Sequence, residues 1–230
     1  MLVKNWMHKT VITVSEDDSM HDAIKRLKEH DIRMLPVMRK NKLVGIVTDR
    51  DLKRASASDA TTLEMHELFY LISQIKVREI MTKNPITVPY NFTVEEVAEV
   101  LWKNKISGAP VVDEQGNIIG TITQSDIFRL LIALTGVGKR GIQFAFRLED
   151  RPGSIKEIAD IIRNYSGRMT SILSSYERVP EGYRNVYIRM FGIDRSKLPE
   201  MKEELKKAAP LLYMVDHREN VREIYEEYTM

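Results

Sequence analysis

The chain has 230 residues, enough for one large domain or two to three small ones, and its 43% hydrophobic and 30% charged residues are typical of a globular protein. Its 35 Lys and Arg against 33 Asp and Glu leave a net charge of +2, which argues against nucleic-acid binding by neutralisation of many phosphates and against a polybasic membrane anchor. The absence of cysteine excludes disulfides, iron–sulfur clusters and thiol catalysis. Because no apolar run is long enough to span a membrane and no signal peptide is recognisable, we expect a cytoplasmic protein.

An internal repeat organises the first half of the chain. Residues 3–42 align with residues 77–116, and many aligned positions are identical, among them Met7 with Met81. One extra residue in the second copy then aligns Gly45, Thr48 and Asp51 with Gly120, Thr123 and Asp126. Each copy has about 50 residues and is marginal for burying its own core, so we expect the two copies to pack as one unit.

The same order of elements is predicted in each copy. A short β-favouring stretch leads to a capping box, Ser19-x-x-Asp22 or Thr93-x-x-Glu96, and then to apolar residues at helical spacing. Two apolar strands follow, and the second runs through Thr-x-x-Asp into another helix, which gives β-α-β-β-α twice. We place the first copy at residues 1–56, a connecting helical insertion at 57–76 and the second copy at 77–135.

The second half begins at a glycine-rich linker, residues 136–141. It matches G-x-G-x-x-G literally, but it follows a helix and precedes a strand, whereas the dinucleotide-binding motif does the reverse, so we interpret it as a flexible interdomain hinge. Residues 142–217 then predict β-α-β-β-α-β, a ferredoxin-like order. The tail, residues 218–230, has Val221, Ile224, Tyr225 and Tyr228 on one predicted helical face. The predicted fold class is therefore α+β.

The duplicated Thr-x-x-Asp motif carries the clearest chemistry. Each copy of the motif lies where a strand feeds a helix N-terminus, whose free N–H groups and dipole favour a phosphate. The hydroxyls of Thr48 and Thr123 can donate to phosphate oxygens, and the carboxylates of Asp51 and Asp126 can accept two hydrogen bonds from a ribose diol. The alternative is an ordinary helix cap. Retention of the pattern in both copies favours a ligand role, although duplication alone could preserve a cap.

The two copies differ in charge beside this motif. The first copy offers Arg33 and Arg50, whose guanidinium groups suit phosphate oxygens, and the second has Ser107 and Ser125 at those positions. The alternative for either Arg is a solvated surface side chain. Catalysis finds little support, because the five His residues are scattered and no metal-like cluster or G-x-S-x-G motif is present.

The two β-α-β-β-α units, with Gly45–Asp51 and Gly120–Asp126, resemble a tandem pair of CBS domains (a Bateman module) over about residues 1–134. The resemblance implies an adenosyl ligand, such as AMP, ADP, ATP, S-adenosylmethionine or NADH, in the cleft between the units. It also implies ribose on Asp51 and Asp126 and phosphate near Thr48 and Thr123. The residues implied to flank the base or line the cleft are Val11, Ile12, Pro36, Val37, Pro85, Ile86, Pro110 and Val111.

The segment from Asp150 to Gly167 resembles the start of an ACT domain, which would cover about residues 141–217. Such domains often bind an amino acid where their first turn meets a neighbouring sheet, here Asp150, Pro152, Gly153, Ser154 and Ile155, although many bind nothing. A CBS pair followed by an ACT domain is similar to the acetoin-utilisation regulatory proteins. Both modules commonly dimerise.

These observations predict a regulatory sensor without catalysis of its own, in which an adenine nucleotide shifts the CBS pair between arrangements. The ACT domain would add an amino-acid input or a homodimer contact, and the regulated protein target stays unidentified. Two alternatives remain open: a structural dimerisation scaffold with vestigial pockets, and an enzyme that acts on nucleotides with groups from both repeats.

Overall fold

The computed structural model describes residues 1–59, 70 and 72–225. The chain divides into two compact units, residues 1–128 and 129–230. Most of the predicted connecting insertion lies outside the described residues, as does the end of the predicted helical tail. Within the insertion, residues 72–74 are helical.

The first copy of the repeat forms the predicted β-α-β-β-α order. Strands β1 and β2 are parallel, with Val14 beside Val37, and β2 is antiparallel to β3. A capping box between Ser19 and Asp22 begins α1, whose buried face includes Met20 and Leu27. The elements are β1 (Val14–Ser15), α1 (Met20–Glu29), β2 (Met34–Arg39), β3 (Lys42–Thr48) and α2 (Asp49–Asp59).

The second copy repeats this arrangement after one short helix and one short strand. Its parallel pair places Val88 beside Val111, at the positions that correspond to Val14 and Val37. Thr93 and Glu96 form the second capping box. The elements are α3 (Val77–Ile80), β4 (Thr82–Lys83), β5 (Val88–Pro89), α4 (Val94–Lys103), β6 (Gly108–Val112), β7 (Ile118–Thr123) and α5 (Gln124–Thr135).

The first residues of each copy pair with the sheet of the other copy. Strand β4, from the start of the second copy, extends the first sheet to the order β1-β2-β3-β4. In return, His8 exchanges backbone hydrogen bonds with Thr121 of the second sheet, at 2.9 and 3.0 Å. We call the residues 3–8 and 77–83 the crossed segments. The two copies therefore complete each other's sheets, which agrees with the expectation that neither folds well alone.

The two aligned glycines are explained by these crossed segments. A Cβ on Gly120 would lie 2.5 Å from Met7 Sδ and 2.9 Å from the His8 carbonyl oxygen. A Cβ on Gly45 would lie 2.5 Å from Met81 Sδ and 3.1 Å from the Thr82 carbonyl oxygen. Each sheet thus needs a glycine where the crossed segment from the other copy approaches, and the Met of that segment packs against it.

The second unit has the predicted β-α-β-β-α-β order over residues 142–216. Its five-stranded sheet has the order β12-β11-β8-β10-β9. Alternate residues of β8, including Phe144 and Phe146, point into a core that both helices cover. The elements are β8 (Ile142–Glu149), α6 (Ser154–Asn164), β9 (Arg168–Ser175), β10 (Tyr183–Phe191), α7 (Leu198–Ala208), β11 (Leu211–Asp216) and β12 (Val221–Ile224).

The prediction of a helical tail is wrong for its first part. Val221–Ile224 is strand β12, antiparallel to β11, with Val221 opposite Asp216 and Ile224 opposite Tyr213. Val221, Ile224 and Tyr225 have the i, i+3, i+4 spacing that predicts a helix, and pairing with the edge of β11 overrides this local signal. Tyr228 lies outside the described residues.

The glycine-rich linker contains a short turn. Val137–Lys139 forms a 3₁₀ turn, and Gly136 has a φ of 64°. A Cβ on Gly136 would clash with the Thr170 side chain, and one on Gly141 would clash with the Met190 carbonyl oxygen. These two glycines permit close packing against the second unit's sheet.

Candidate functional site

The Thr48–Asp51 motif forms the junction between β3 and α2, as predicted. Asp51 Oδ2 accepts hydrogen bonds from the Thr48 backbone N–H at 3.0 Å and from the Thr48 hydroxyl at 2.7 Å. Asp51 is half-buried, and its Oδ1 has no hydrogen bond within the part of the chain that the structure describes. One carboxylate oxygen therefore closes the helix cap, and the other is available to a ligand.

The Thr123–Asp126 motif repeats this cap between β7 and α5. Asp126 Oδ2 accepts hydrogen bonds from the Thr123 backbone N–H at 2.9 Å and from its hydroxyl at 2.8 Å. The second carboxylate differs from the first in two respects. Asp126 is only 3% exposed, and His8 Nε2 lies 2.9 Å from Asp126 Oδ1. The second carboxylate therefore already has a protein contact on the oxygen that the first leaves available.

Both motifs therefore form helix caps. The cap hydrogen bonds change what the threonine hydroxyls can donate to. Each Thr hydroxyl donates its proton to the Asp of its own motif, so Thr48 and Thr123 do not donate to a phosphate in this arrangement. The backbone N–H groups of the helix N-terminus and nearby cations would have to bind a phosphate instead. The carboxylate of Asp51 keeps its predicted ability to accept from a sugar hydroxyl.

Arg33 and Arg50 border the first motif, and serines stand at the corresponding positions of the second. The Arg33 carbonyl accepts a hydrogen bond from the Asp49 N–H at 3.2 Å, which holds the start of β2 beside the start of α2. Arg33 and Arg50 are both exposed, and neither guanidinium makes an ion pair with any residue that the structure describes. Ser107 makes the matching carbonyl contact in the second copy, to the Gln124 N–H at 2.9 Å. The first motif is therefore the more favourable place for a phosphate chain.

The predicted lining residues separate into buried and accessible ones. Val37 and Val111 are fully buried at 0% exposure, so their side chains belong to the core and do not line a cleft. This is a correction, and its cause is the parallel pairing with Val14 and Val88, which places them at the centre of each sheet. Pro36 and Pro110 are also buried. The accessible or half-buried residues are Val11, Ile12, Pro85 and Ile86.

The crossed segments bring residues of one copy to the motif of the other. The Asn84 N–H donates to the Val44 carbonyl at 3.4 Å, so the chain that leads to Pro85 and Ile86 runs along the strand that ends at Thr48. The chain that leads from His8 to Val11 starts beside Thr121, on the strand that ends at Thr123. Sequence reasoning missed this exchange and missed His8. The aligned Met and Gly pairs were the signal that could have indicated it.

A cleft of about 750 Å³ lies at the end of β2 away from the Thr48 motif. Arg39 and Arg78 line it, but each pairs with a carboxylate, Arg39 with Glu16 and Arg78 with Asp17. The hydrogen bonds from Arg39, together with its charge, hold the pKa of Glu16 below its ordinary value against the opposing effect of burial. Because these guanidinium groups are already neutralised, this cleft is a poorer anion site than the Thr48 motif.

The turn of the second unit that was predicted to bind an amino acid leads into α6. Gly153 has a φ of 91°, and Ser154 is 4% exposed. The Ser154 hydroxyl donates to the Arg151 carbonyl at 3.1 Å and accepts from Arg184 Nη2 at 3.2 Å. Asp150 lies 3.5 Å from Arg184 Nε, Pro152 is exposed and Ile155 packs against the core. The hydroxyl of Ser154 is therefore engaged within the protein.

No helix among the described residues is long and apolar enough to cross a membrane. They also contain no group of three or more His, Cys, Asp or Glu side chains placed to hold a metal ion.

Comparison with known sequences concerns the first unit. The model of the CBS domain family matches residues 3–58 and 77–133. A CBS domain-containing protein of Dictyostelium discoideum is 35% identical over 133 residues, which cover 57% of this chain and 92% of that protein. Some longer relatives also match, and the chain spans 23% of their length.

Two solved structures resemble the same region. The CBS domain pair of protein MJ0100, in complex with 5′-methylthioadenosine and S-adenosyl-L-methionine, shares 36% identity over 57% of this chain and 99% of that chain, with a TM-score of 0.49. A Vibrio cholerae protein provisionally named an acetoin utilization protein (AcuB) shares 27% identity over 60% of this chain and 96% of that chain, with a TM-score of 0.50.

Proposed function

This chain belongs to the CBS-domain proteins, and we propose that it is a regulatory protein, without catalysis of its own, that binds an adenosyl nucleotide at the Asp51 motif. The ligand class is AMP, ADP, ATP, S-adenosylmethionine or NADH. Binding regulates a partner only if the ligand has different affinities for two arrangements of the protein. The regulated protein target is not identified by these residues.

The observation that carries the proposal is Asp51 Oδ1, to which no described residue donates, together with Arg33 and Arg50, which flank the motif and make no ion pair with a described residue. A ribose diol donates hydrogen bonds, and Asp51 Oδ1 accepts them without disturbing the cap, because the cap uses Oδ2. Arg33 and Arg50 then supply positive charge for a phosphate attached to that ribose. An acceptor for the sugar beside donors for the phosphate suits a nucleotide better than either free ribose or free phosphate.

For the second unit we propose an ACT domain that supplies either an amino-acid input at the turn of residues 150–155 or a homodimer contact. Its β-α-β-β-α-β order supports the assignment. The engaged Ser154 hydroxyl favours the dimer contact over the amino acid, because a ligand carboxylate or ammonium would have to compete with Arg151 and Arg184 for it.

The competing function is a dimerisation scaffold whose pockets are vestigial, and the caps themselves favour it. Both Asp residues are already hydrogen-bonded by their own Thr, as a purely structural cap would be. An enzyme that acts on nucleotides is the weaker alternative. It would show turnover that is abolished in Asp51→Ala.

The proposal is tested by calorimetric and thermal titration of the whole protein with AMP, ATP, S-adenosylmethionine and NADH. A ligand at a hundredfold excess over its Kd stabilises the folded state by about 2.7 kcal/mol, and for this size that raises the Tm by roughly 5–10 °C. We expect at least one of the four to produce this shift. A flat response to all four contradicts the proposal and supports the scaffold.

Asp51→Asn is the informative variant, because its amide oxygen can still close the cap while the NH2 group that replaces Oδ1 donates and cannot accept from a ribose hydroxyl. We expect nucleotide affinity to fall about tenfold or more. Asp22→Asn is the matched control, because Asp22 occupies the same cap position in α1, where it pairs with Ser19 and no ligand is proposed. Equal affinity in both variants would count against a ribose contact at Asp51.

A further inference from the structure

The two motif carboxylates differ in what contacts their second oxygen. Each uses Oδ2 to accept from the N–H and hydroxyl of its own Thr. His8 Nε2 lies 2.9 Å from Asp126 Oδ1, and no described residue is bonded to Asp51 Oδ1. An imidazole N–H and a ribose hydroxyl are both donors to a carboxylate, so His8 stands where the second motif would receive a sugar.

The position of His8 is fixed by its backbone. Its N–H and carbonyl both pair with Thr121, and Met7 packs against Gly120, so the crossed segment cannot slide along β7. The side chain itself is 56% exposed and is free to rotate toward solvent. The contact can therefore be broken by a change of side-chain rotamer, without loss of the strand pairing.

The repeat supplies an internal comparison at this position. The residue that corresponds to His8 in the other crossed segment is Thr82, which lies in register with Ile46 on β3. The Thr82 side chain makes no hydrogen bond with Asp51. At this position the two copies therefore differ in one side chain, a long imidazole in one copy and a short hydroxyl in the other.

We propose that His8 is an intrinsic competitor for the second carboxylate, so that an adenosyl ligand fills the Asp51 site first and reaches Asp126 only by displacing the His8 imidazole. This inference rests on the proposed function. If His8 competes in this way, the two sites fill in sequence and are not equivalent. The His8 side chain then controls how much ligand occupies the Asp126 site. The serines that replace Arg33 and Arg50 in the second copy add to this inequality, since they offer no charge to a phosphate.

The experiment is a calorimetric titration of the full chain with AMP at one fixed pH, in the wild type and in His8→Ala, His8→Gln and Thr82→Ala. We expect the wild type to bind one equivalent tightly and a second weakly. His8→Ala should strengthen the weak site about tenfold, because the ligand no longer displaces a donor from the carboxylate. His8→Gln keeps an N–H of similar reach and should leave the site weak, and Thr82→Ala should leave both sites unchanged.

Three outcomes are distinguishable. Unchanged or weaker binding at the second site in His8→Ala overturns the inference and leaves the nucleotide function standing. Two equal sites in the wild type also overturn it. Absence of AMP binding in the wild type and in every variant, with no response to the other three nucleotides, removes the proposed function and the inference together. Circular dichroism of His8→Ala confirms that the variant is folded, and His8→Gln provides the comparison if it is not.

Discussion

Asp216 is a buried carboxylate of the second unit. It is 2% exposed and pairs with Arg195, and it also accepts from the backbone N–H groups of Arg218 and Glu219. Burial alone would raise the pKa of Asp216, but the hydrogen bonds and the Arg195 charge outweigh burial and bring the pKa below its ordinary value. The ionised carboxylate is therefore the form that stabilises the second unit.

The lowered pKa of Asp216 predicts that its contribution to the stability of the second unit depends on pH. A carboxylate whose pKa is lowered by folding stabilises the protein above its unfolded pKa, about 3.9, and loses that contribution as the pH falls through the folded value. We expect Asp216→Asn to destabilise the second unit by about 1.5–3 kcal/mol at neutral pH and by much less below pH of about 3. Native-state amide hydrogen exchange in β11 measures this change in the free energy of unfolding.

Asp160→Asn is the control for this prediction, since Asp160 makes only exposed pairs with Lys156 and Arg163, and exposed pairs contribute about 0–1 kcal/mol. A loss in Asp216→Asn that is the same at low and neutral pH would show that its hydrogen bonds matter and its charge does not.

At the scale of elements, the crossed segments are what join the two repeats. Each contributes backbone hydrogen bonds to the sheet of the other copy and places a Met against that sheet's glycine. The elements within each copy follow from local signals, namely caps and periodicity. The exchange between copies follows from the close approach that only glycine allows.

Gly120→Ala tests this exchange. Its Cβ would meet the Met7 sulfur and the His8 carbonyl oxygen, and because the second is backbone it cannot simply rotate away. We expect a loss of about 1–3 kcal/mol in the free energy of unfolding. Urea denaturation followed by tryptophan fluorescence reports on this unit, because both tryptophans, Trp6 and Trp102, lie in residues 1–128.

Gly138→Ala serves as the matched substitution, since a Cβ at Gly138 has nothing within 4 Å. It should leave the fluorescence transition in place. A Gly120→Ala protein as stable as Gly138→Ala would mean that the crossed segment tolerates displacement.

At the scale of the whole molecule, α5 carries an exposed apolar stripe. Phe128, Leu131 and Ile132 have the i, i+3, i+4 spacing of one helical face, and they are 62%, 53% and 56% exposed. Adjacent exposed apolar side chains of this size are typical of an interaction surface. A homodimer formed through α5, a contact distinct from the one proposed for the ACT domain, would cover such a stripe with a second copy of the same helix.

We therefore expect Leu131→Glu to convert a dimer to a monomer in size-exclusion chromatography with light scattering. The charge would be buried against the same substitution in the partner copy, and burial of unpaired charge is costly. Trp102→Glu, at a residue that is 78% exposed on α4, should leave the mass unchanged. A wild type that is monomeric at all concentrations tested would contradict the dimer.

Much of the fold could be predicted because its signals are local. The capping boxes at Ser19 and Thr93 begin their helices as expected, and the apolar alternation around Phe144 gives a strand with one buried face. Prediction failed where pairing between distant residues overrode a local signal. Val221 and Ile224 have helical spacing, but Val221–Ile224 pairs with β11 as a strand.

The same distinction between local and long-range contacts applies to the candidate site. By itself, the sequence determined the duplicated Thr-x-x-Asp caps and the cations beside the first, since these depend on residues a few positions apart. Only the tertiary structure decided that Val37 and Val111 belong to the core, that each copy completes the other's sheet, and that His8 contacts Asp126. These contacts join residues that are distant in the chain. They form because a strand edge is unpaired and because a glycine allows another backbone to approach closely.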